Sequence, residues 1–250
     1  MSIPVHGKIT CMRRRFFVEK FEHNQAVMEG EAAHHLGRVL RAQPGQLYEL
    51  SDGAKVWLGR IDTVSRDAVQ FSLLEELAAH FSPIETTLLL SIVKFDSFEW
   101  ALEKATELGV HSIVPLAAAR SEKALLTAAP KRAERWKKIL LEASQQSRRV
   151  QLPSLQPLTK PEAAFRERGE GLGIFLSEAQ GVKSLRDVLQ GERAQKATLA
   201  IGPEGGWTEG EVAAARAAGF QEASLGKLIL RAETAVIAAL ANINFELAEG

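Results

Sequence analysis

The sequence holds a single cysteine, Cys11, in 250 residues. That scarcity excludes a disulfide framework and a zinc site built on thiolates, and it fits a reducing, cytoplasmic compartment. No apolar run approaches the roughly 20 residues that span a bilayer, so no membrane partner is expected. The basic residues near the start are not followed by the long apolar core of a signal peptide. Charge of one sign is also lacking, because 31 Lys and Arg balance 31 Asp and Glu. Taken alone, that balance argues against a polyanionic partner, although net charge does not describe how charge is distributed. What is present is the profile of a folded chain, 46% apolar and 25% charged, which excludes disorder as the main state. The length allows one large domain or two small ones.

The balance is local in neither direction. Within residues 1–20, Lys8, Arg13, Arg14, Arg15 and Lys20 face Glu19 alone. Within 120–151, Arg120, Lys123, Lys131, Arg132, Arg135, Lys137, Lys138, Arg148 and Arg149 face Glu122, Glu134 and Glu142. Residues 201–250 are acidic. Each basic block alone reads as a solvated helix face. Two together can form one surface for a polyanion.

The first part of the chain reads mainly as strands. Arg15–Val18, Gln46–Ser51, Lys55–Ile61 and Ala68–Leu73 are short and apolar or alternating, and Asp52-Gly53 marks a turn. One helix, over Glu31–Ala42, stops at Pro44-Gly45. Residues 1–77 are therefore expected to form a small β-barrel domain, with 78–83 as linker. From 84 to 250 the pattern alternates strand and helix, which predicts an α/β domain with a parallel sheet. Its strands are Thr87–Val93, Ser112–Leu116, Leu172–Ser177, Ala197–Ile201 and Ala223–Leu225. Helices are expected to start at Asp96, with Glu99 as its capping partner, at Pro130, at 159–162 and at Thr208 with Glu211, and the last covers 232–248.

Three segments could carry chemistry. Leu199–Thr208 runs from an apolar strand through Gly202-Pro203-Glu204-Gly205-Gly206 into a capped helix. Glycines beyond the carboxyl end of a parallel strand let backbone approach a ligand. The spacing matches neither GxGxxG nor GxxxxGK[ST], and a simple connecting turn is the plain alternative. Leu225–Ala235 repeats the strand-to-helix arrangement and places Arg231 and Glu233 at the helix start, where Glu233 could serve only as a favourable first-turn charge. Gln145–Arg149 gathers donors and cations, or is merely a polar helix end. His34 and His35 are adjacent and point apart on a helix, so they do not read as a metal pair. No metal is expected.

These residues, with several others, resemble a known family. The matching pieces are Arg14–Phe17, His35–Arg41 with Pro44-Gly45, Lys104–Val110, and Arg120-Ser121. They continue with Glu142-Ala143, Gln146-Ser147 and Arg149, then Ile201–Gly206, Leu225-Gly226 and Ile229–Ala235. In this order over nearly the whole chain they are similar to the bacterial 16S rRNA uracil-N3 methyltransferases, a branch of the SPOUT superfamily. Three positions depart from the family pattern: Gln145 where Glu is usual, Arg148 where Gly is usual, and Phe95 where Gly usually follows Lys94.

The resemblance implies a PUA-like β-barrel followed by a SPOUT parallel sheet whose last segments thread a trefoil knot. It implies a homodimer that uses S-adenosylmethionine to methylate N3 of uracil 1498 in 16S rRNA of the 30S subunit. The donor pocket would comprise Leu176, Ser177, Ile201, Gly202, Pro203, Glu204, Gly205, Gly206, Leu225, Gly226, Leu228 and Leu230. Arg231 and Glu233 would be catalytic. Arg13, Arg14, Arg15, Arg38, Arg41, Arg120 and Arg149 would contact RNA. A ribose 2′-O-methyltransferase and a non-catalytic RNA-binding protein remain as alternatives at this stage.

Overall fold

The computed structural model describes residues 14–247. The chain divides into two compact units, one formed by the chain up to Phe81 together with Ser144–Leu152, the other by Ser82–Ala143 and Pro153 onward. The sequence reading had not placed 144–152 with the first unit.

The first unit contains β1 (Arg15–Phe17), β2 (Phe21–Glu22), β3 (Gln25–Glu29), α1 (Gly30–His34), β4 (Leu47–Ser51), β5 (Val56–Val64) and β6 (Ala68–Leu77). They make one six-stranded sheet in the order β1-β4-β5-β6-β3-β2. β1 pairs with β4 in parallel and the other ladders are antiparallel. Among the described residues no ladder joins β2 to β1, so the backbone pairing is that of a sheet with two edges. The β4–β5 turn forms as expected, with Asp52 Oδ1 accepting from the amides of Ala54 and Lys55. Strand β3 was missed, although Gln25–Glu29 alternates exposed and buried and turns Ala26 and Met28 inward. The expected helix is shorter, because α1 passes into a π-helical turn at His35–Val39. Phe16 and Tyr48 meet edge to face at 5.4 Å in a core with Leu36, Leu50, Ile61 and Phe71.

Two buried polar features tie this unit. Glu49 accepts from Arg15 Nη2 at 2.9 Å and also pairs with Arg148. Arg148 has φ 57, a left-handed conformation that explains why glycine suits the position; here the arginine gains the Glu49 contact instead. Ser51 Oγ donates to the Val150 carbonyl at 2.7 Å.

The second unit contains β7 (Glu85–Ser91), α2 (Phe95–Glu107), β8 (Ser112–Leu116), α3 (Lys123–Gln146, most of it in this unit), β9 (Ser154–Leu155), α4 (Pro161–Arg166) and β10 (Leu172–Leu176). It continues with β11 (Lys183–Ser184), α5 (Leu185–Leu189), β12 (Lys196–Ile201), α6 (Glu209–Ala217), β13 (Gln221–Ser224) and α7 (Ala232–Leu247). The sheet order is β11-β13-β10-β12-β7-β8-β9, and every ladder is parallel.

Both faces are covered, which is why its central strands are continuous apolar runs. Leu88, Leu90, Leu199 and Ile174 share one core with Phe98 and Leu102 of α2 and Val236 and Leu240 of α7. Leu89, Ala200 and Phe175 pack on the other side with Phe165 of α4 and Ala215 of α6. Each buried Leu, Ile, Val or Phe among these contributes about 1.5–3 kcal/mol relative to exposure.

Two helix starts differ from expectation. α2 begins at Phe95 with Lys94 as N-cap and no side-chain cap. Glu99, expected to complete a cap with Asp96, is buried and instead accepts from Arg132 at 3.2 Å and Arg135 at 2.8 Å. The Arg132 guanidinium also lies over the Phe95 ring at 4.6 Å. Pro130 lies inside α3 rather than starting it. The box at Thr208 and Glu211 forms as read. Among the described residues no helix is long and apolar enough to cross a membrane.

Candidate active site

A cleft of about 1020 Å³ opens at the carboxyl ends of β10, β12 and β13. Parallel sheets bind ligands at this edge, because loops leaving adjacent strands leave space between them. The loop after β10 contributes Leu176, Ser177 and Glu178; the loop after β12 contributes Ile201 to Trp207; the loop after β13 contributes Leu225, Gly226 and Leu228 to Arg231. All twelve residues expected in the donor pocket line this one cleft, and Arg231 joins them.

Two positions of the glycine loop, Gly202 and Gly205, meet close contacts that crowd any added side chain. A Cβ on Gly202 would lie 2.9 Å from the Trp207 indole. That indole stacks on Phe175 at 4.8 Å and donates from Nε1 to the Leu176 carbonyl at 3.0 Å. Trp207 thus links the β10 and β12 loops. It lay at the edge of the glycine motif but was given no role from sequence. The turn closes with the Gly206 amide donating to the Pro203 carbonyl at 2.8 Å, with Gly206 at φ 69. In the β13 loop, Gly226 takes φ 127, a conformation that only glycine adopts readily.

Glu233 is buried in the first turn of α7 and is not itself among the residues lining the cleft; its Oε1 accepts at 3.2 Å from Ser97 Oγ, which does line it. Arg231 precedes it, exposed, with its carbonyl accepting from Ala235. Lys94 and Ser97 of the β7–α2 connection also line the cleft and were not singled out from sequence. Glu222, at the rim, pairs with Arg216 at 2.5 Å. Burial raises the pKa of its carboxyl, but hydrogen bonds from Arg216 and Ser177 and the Arg216 charge outweigh this and hold it below the usual range.

The arginines expected to contact RNA do not share one fate. Arg14, Arg38 and Arg41 are exposed on the first unit. Arg13 lies outside the described residues. Arg15 is a correction: it is 6% exposed and its Nε and Nη2 both donate to Glu49, so it is not available to a phosphate. Arg149 is partly buried and donates to the Gln151 carbonyl; burial pushes its guanidinium down to about 10. Arg120 lines the cleft of the second unit. Among the described residues no cluster of three or more His, Cys, Asp or Glu is placed to hold a metal ion.

Comparison with known proteins agrees with this geometry. Residues 80–244 match the RNA methyltransferase domain family, and residues 29–74 match the RNA methyltransferase PUA domain. Fold and cleft therefore define an RNA methyltransferase with an accompanying PUA domain. The ribosomal RNA small subunit methyltransferase E of Synechocystis is 38% identical, covering 98% of this chain and 82% of its own. That of Bacillus subtilis is 32% identical over 87% and 88%. The crystal structure of the Neisseria gonorrhoeae enzyme of the same name, bound to S-adenosyl methionine, superposes with a TM-score of 0.83 at 30% identity, covering 94% of this chain and 98% of its own. A Legionella pneumophila putative methyltransferase in complex with the same cofactor gives 0.82, also at 30% identity, over 92% and 96%. The chain belongs to the ribosomal RNA small subunit methyltransferase E family.

Proposed function

We propose that this protein transfers a methyl group from S-adenosylmethionine to N3 of uracil 1498 in 16S rRNA. The observation that carries the proposal is the convergence of the glycine turn, the Gly226 loop and Arg231 on one cleft, with Glu233 linked to it through the cleft-lining Ser97. The cleft fits the donor. Its volume suits a nucleoside with an amino-acid tail. Leu176, Ile201, Leu225 and Leu230 offer aliphatic walls, and the glycine turn offers backbone unscreened by side chains. Leu228 is 82% exposed, so its contribution would come through its backbone.

The donor, when bound, supplies a methyl group already activated on a sulfonium. The chain has to orient the uracil and manage the N3 proton. Arg231, exposed at the mouth, favours the uracil anion by its charge. Glu233, oriented by Ser97, accepts the N3 proton. The target base leaves its stack to reach the cleft.

Residues 1–77 act as the RNA-binding PUA-like domain and 84–250 as the SPOUT methyltransferase domain. Arg14, Arg38 and Arg41 supply phosphate contacts, as does Arg13. A trefoil knot in the second is supported by the insertion of β13 between β10 and β11, strands that precede it in sequence. A homodimer is supported by Leu228 and Ile229, apolar side chains 82% and 80% exposed beside the cleft. A cytoplasmic location goes with a ribosomal substrate.

The test is Arg231→Ala, assayed for methyl transfer to 30S subunits and for donor binding by calorimetry. Transfer is expected to vanish while donor binding persists. Near-normal turnover would overturn the assignment.

A further inference from the structure

Arg120 was expected to touch RNA, yet its contacts lie within the donor cleft. Its Nη1 donates to the Gly205 carbonyl at 3.0 Å. A Cβ on Gly205 would lie 3.2 Å from the Arg120 Cβ, so a bare glycine lets the arginine stem lie along the turn. The peptide joining Gly205 to Gly206 is then held from both ends. Its carbonyl accepts from Arg120, and its N–H donates to the Pro203 carbonyl at 2.8 Å. Because a peptide group is planar, pinning both ends fixes its orientation.

The segment that presents Arg120 is itself anchored. The Ala119 amide donates to Glu211 Oε1 at 2.9 Å, and Ser121 Oγ donates to the Ile92 carbonyl at 2.7 Å. The other oxygen of Glu211 accepts from the Thr208 amide and hydroxyl, both at 2.8 Å. One buried carboxylate therefore joins the start of α6, just after the glycine turn, to the base of Arg120. Nothing in this arrangement depends on a nucleic acid.

We propose that Arg120 is a positioning residue of the donor cleft, fixing the 203–206 turn for methyl-donor binding rather than contacting RNA. The inference rests on the reading that this cleft takes the donor.

The test uses the full-length protein and its Arg120→Ala, Arg120→Lys and Gly205→Ala variants. Each is titrated with S-adenosylmethionine by calorimetry, and with a 16S rRNA fragment by filter binding over a salt series. Arg120→Ala is expected to raise the donor Kd, and the KM for donor, about tenfold, the loss of one exposed charge-assisted hydrogen bond. kcat at saturating donor, RNA affinity and the salt slope stay unchanged. Arg120→Lys, which keeps one cationic donor, recovers most of the affinity. Gly205→Ala keeps the cation but displaces the turn, and weakens donor binding alone. Unchanged donor affinity in Arg120→Ala overturns the inference, and a salt slope reduced by about one phosphate contact would return Arg120 to the RNA surface. Failure of the wild-type protein to bind the donor would instead overturn the proposed function.

Discussion

Replacing Gly202 with alanine tests whether the cleft is built on a rigid indole. The added methyl would sit 2.9 Å from both Cε2 and Nε1 of Trp207. The ring has little freedom to retreat. It stacks on Phe175 at 4.8 Å and 28°, meets the Phe165 ring at 5.9 Å, and holds the Leu176 carbonyl through Nε1 at 3.0 Å. If the indole moves, it loses that hydrogen bond, worth about 1 kcal/mol, and part of a ring contact worth about 0.5–1.5 kcal/mol. If the backbone moves instead, overpacking costs about 1–3 kcal/mol. The two routes together bracket about 1–3 kcal/mol. For a chain of this size that lowers Tm by about 2–12 °C, at roughly 2–4 °C per kcal/mol. Scanning calorimetry measures it, and donor titration on the same sample should show weakened binding, because Ile201 and Leu176 flank the disturbance. Trp207→Phe is the companion variant: it keeps a ring, drops the hydrogen bond, and should cost about 1 kcal/mol from that bond. A Gly202→Ala protein with wild-type Tm and donor affinity would refute the reasoning.

Glu49→Gln removes the carboxylate shared by Arg15 and Arg148 and leaves the buried Arg15 without its counter-charge. Breaking such a pair costs about 3–5 kcal/mol, so urea unfolding of the first unit should begin at clearly lower denaturant; an unchanged midpoint would contradict the burial of Arg15. The Glu222 carboxyl has its pKa lowered in the folded protein, so its stabilisation is present above the ordinary value of 4.5 and is lost as pH falls through the folded value. Arg216→Ala leaves burial to dominate and should move acid unfolding, followed by circular dichroism, to higher pH; an unmoved transition would show that Arg216 does not hold the carboxylate. Association with 16S rRNA should weaken steeply with salt if Arg14, Arg38 and Arg41 neutralise phosphates, and a flat dependence measured by filter binding would remove that assignment.

Where local chemistry decided the structure, the sequence was readable. Thr208 and Glu211 form their box because both partners lie in one turn of chain. The cleft lining was readable because glycines beyond the carboxyl end of a parallel strand stood out in the sequence, and the residues singled out there do line one cleft. Where a distant partner competed, the local reading failed. Asp96 and Glu99 have the same spacing, but Glu99 is drawn to Arg132 and Arg135, more than thirty residues away. Pro130 suggested a helix start because proline suits a first turn, yet α3 runs through it. Arg15 looked like one of three equivalent basic residues, and only its pairing opposite Glu49 on β4 shows it to be interior. The insertion of β13 between β10 and β11 leaves no trace in periodicity, since a strand has the same pattern wherever in the sheet it lies. The even charge balance of the whole chain likewise hides its distribution: neutrality on average coexists with exposed arginines on the first unit and a rim of mixed sign around the cleft.

The most direct test of the central claim is nucleoside mass spectrometry of 16S rRNA after incubation of the wild-type protein with S-adenosylmethionine and unmodified 30S subunits, with free 16S rRNA in parallel. 3-Methyluridine at position 1498 is expected with the wild type and none with Arg231→Ala. A 2′-O-methylated ribose, or methylation that survives the loss of Arg231, would contradict it.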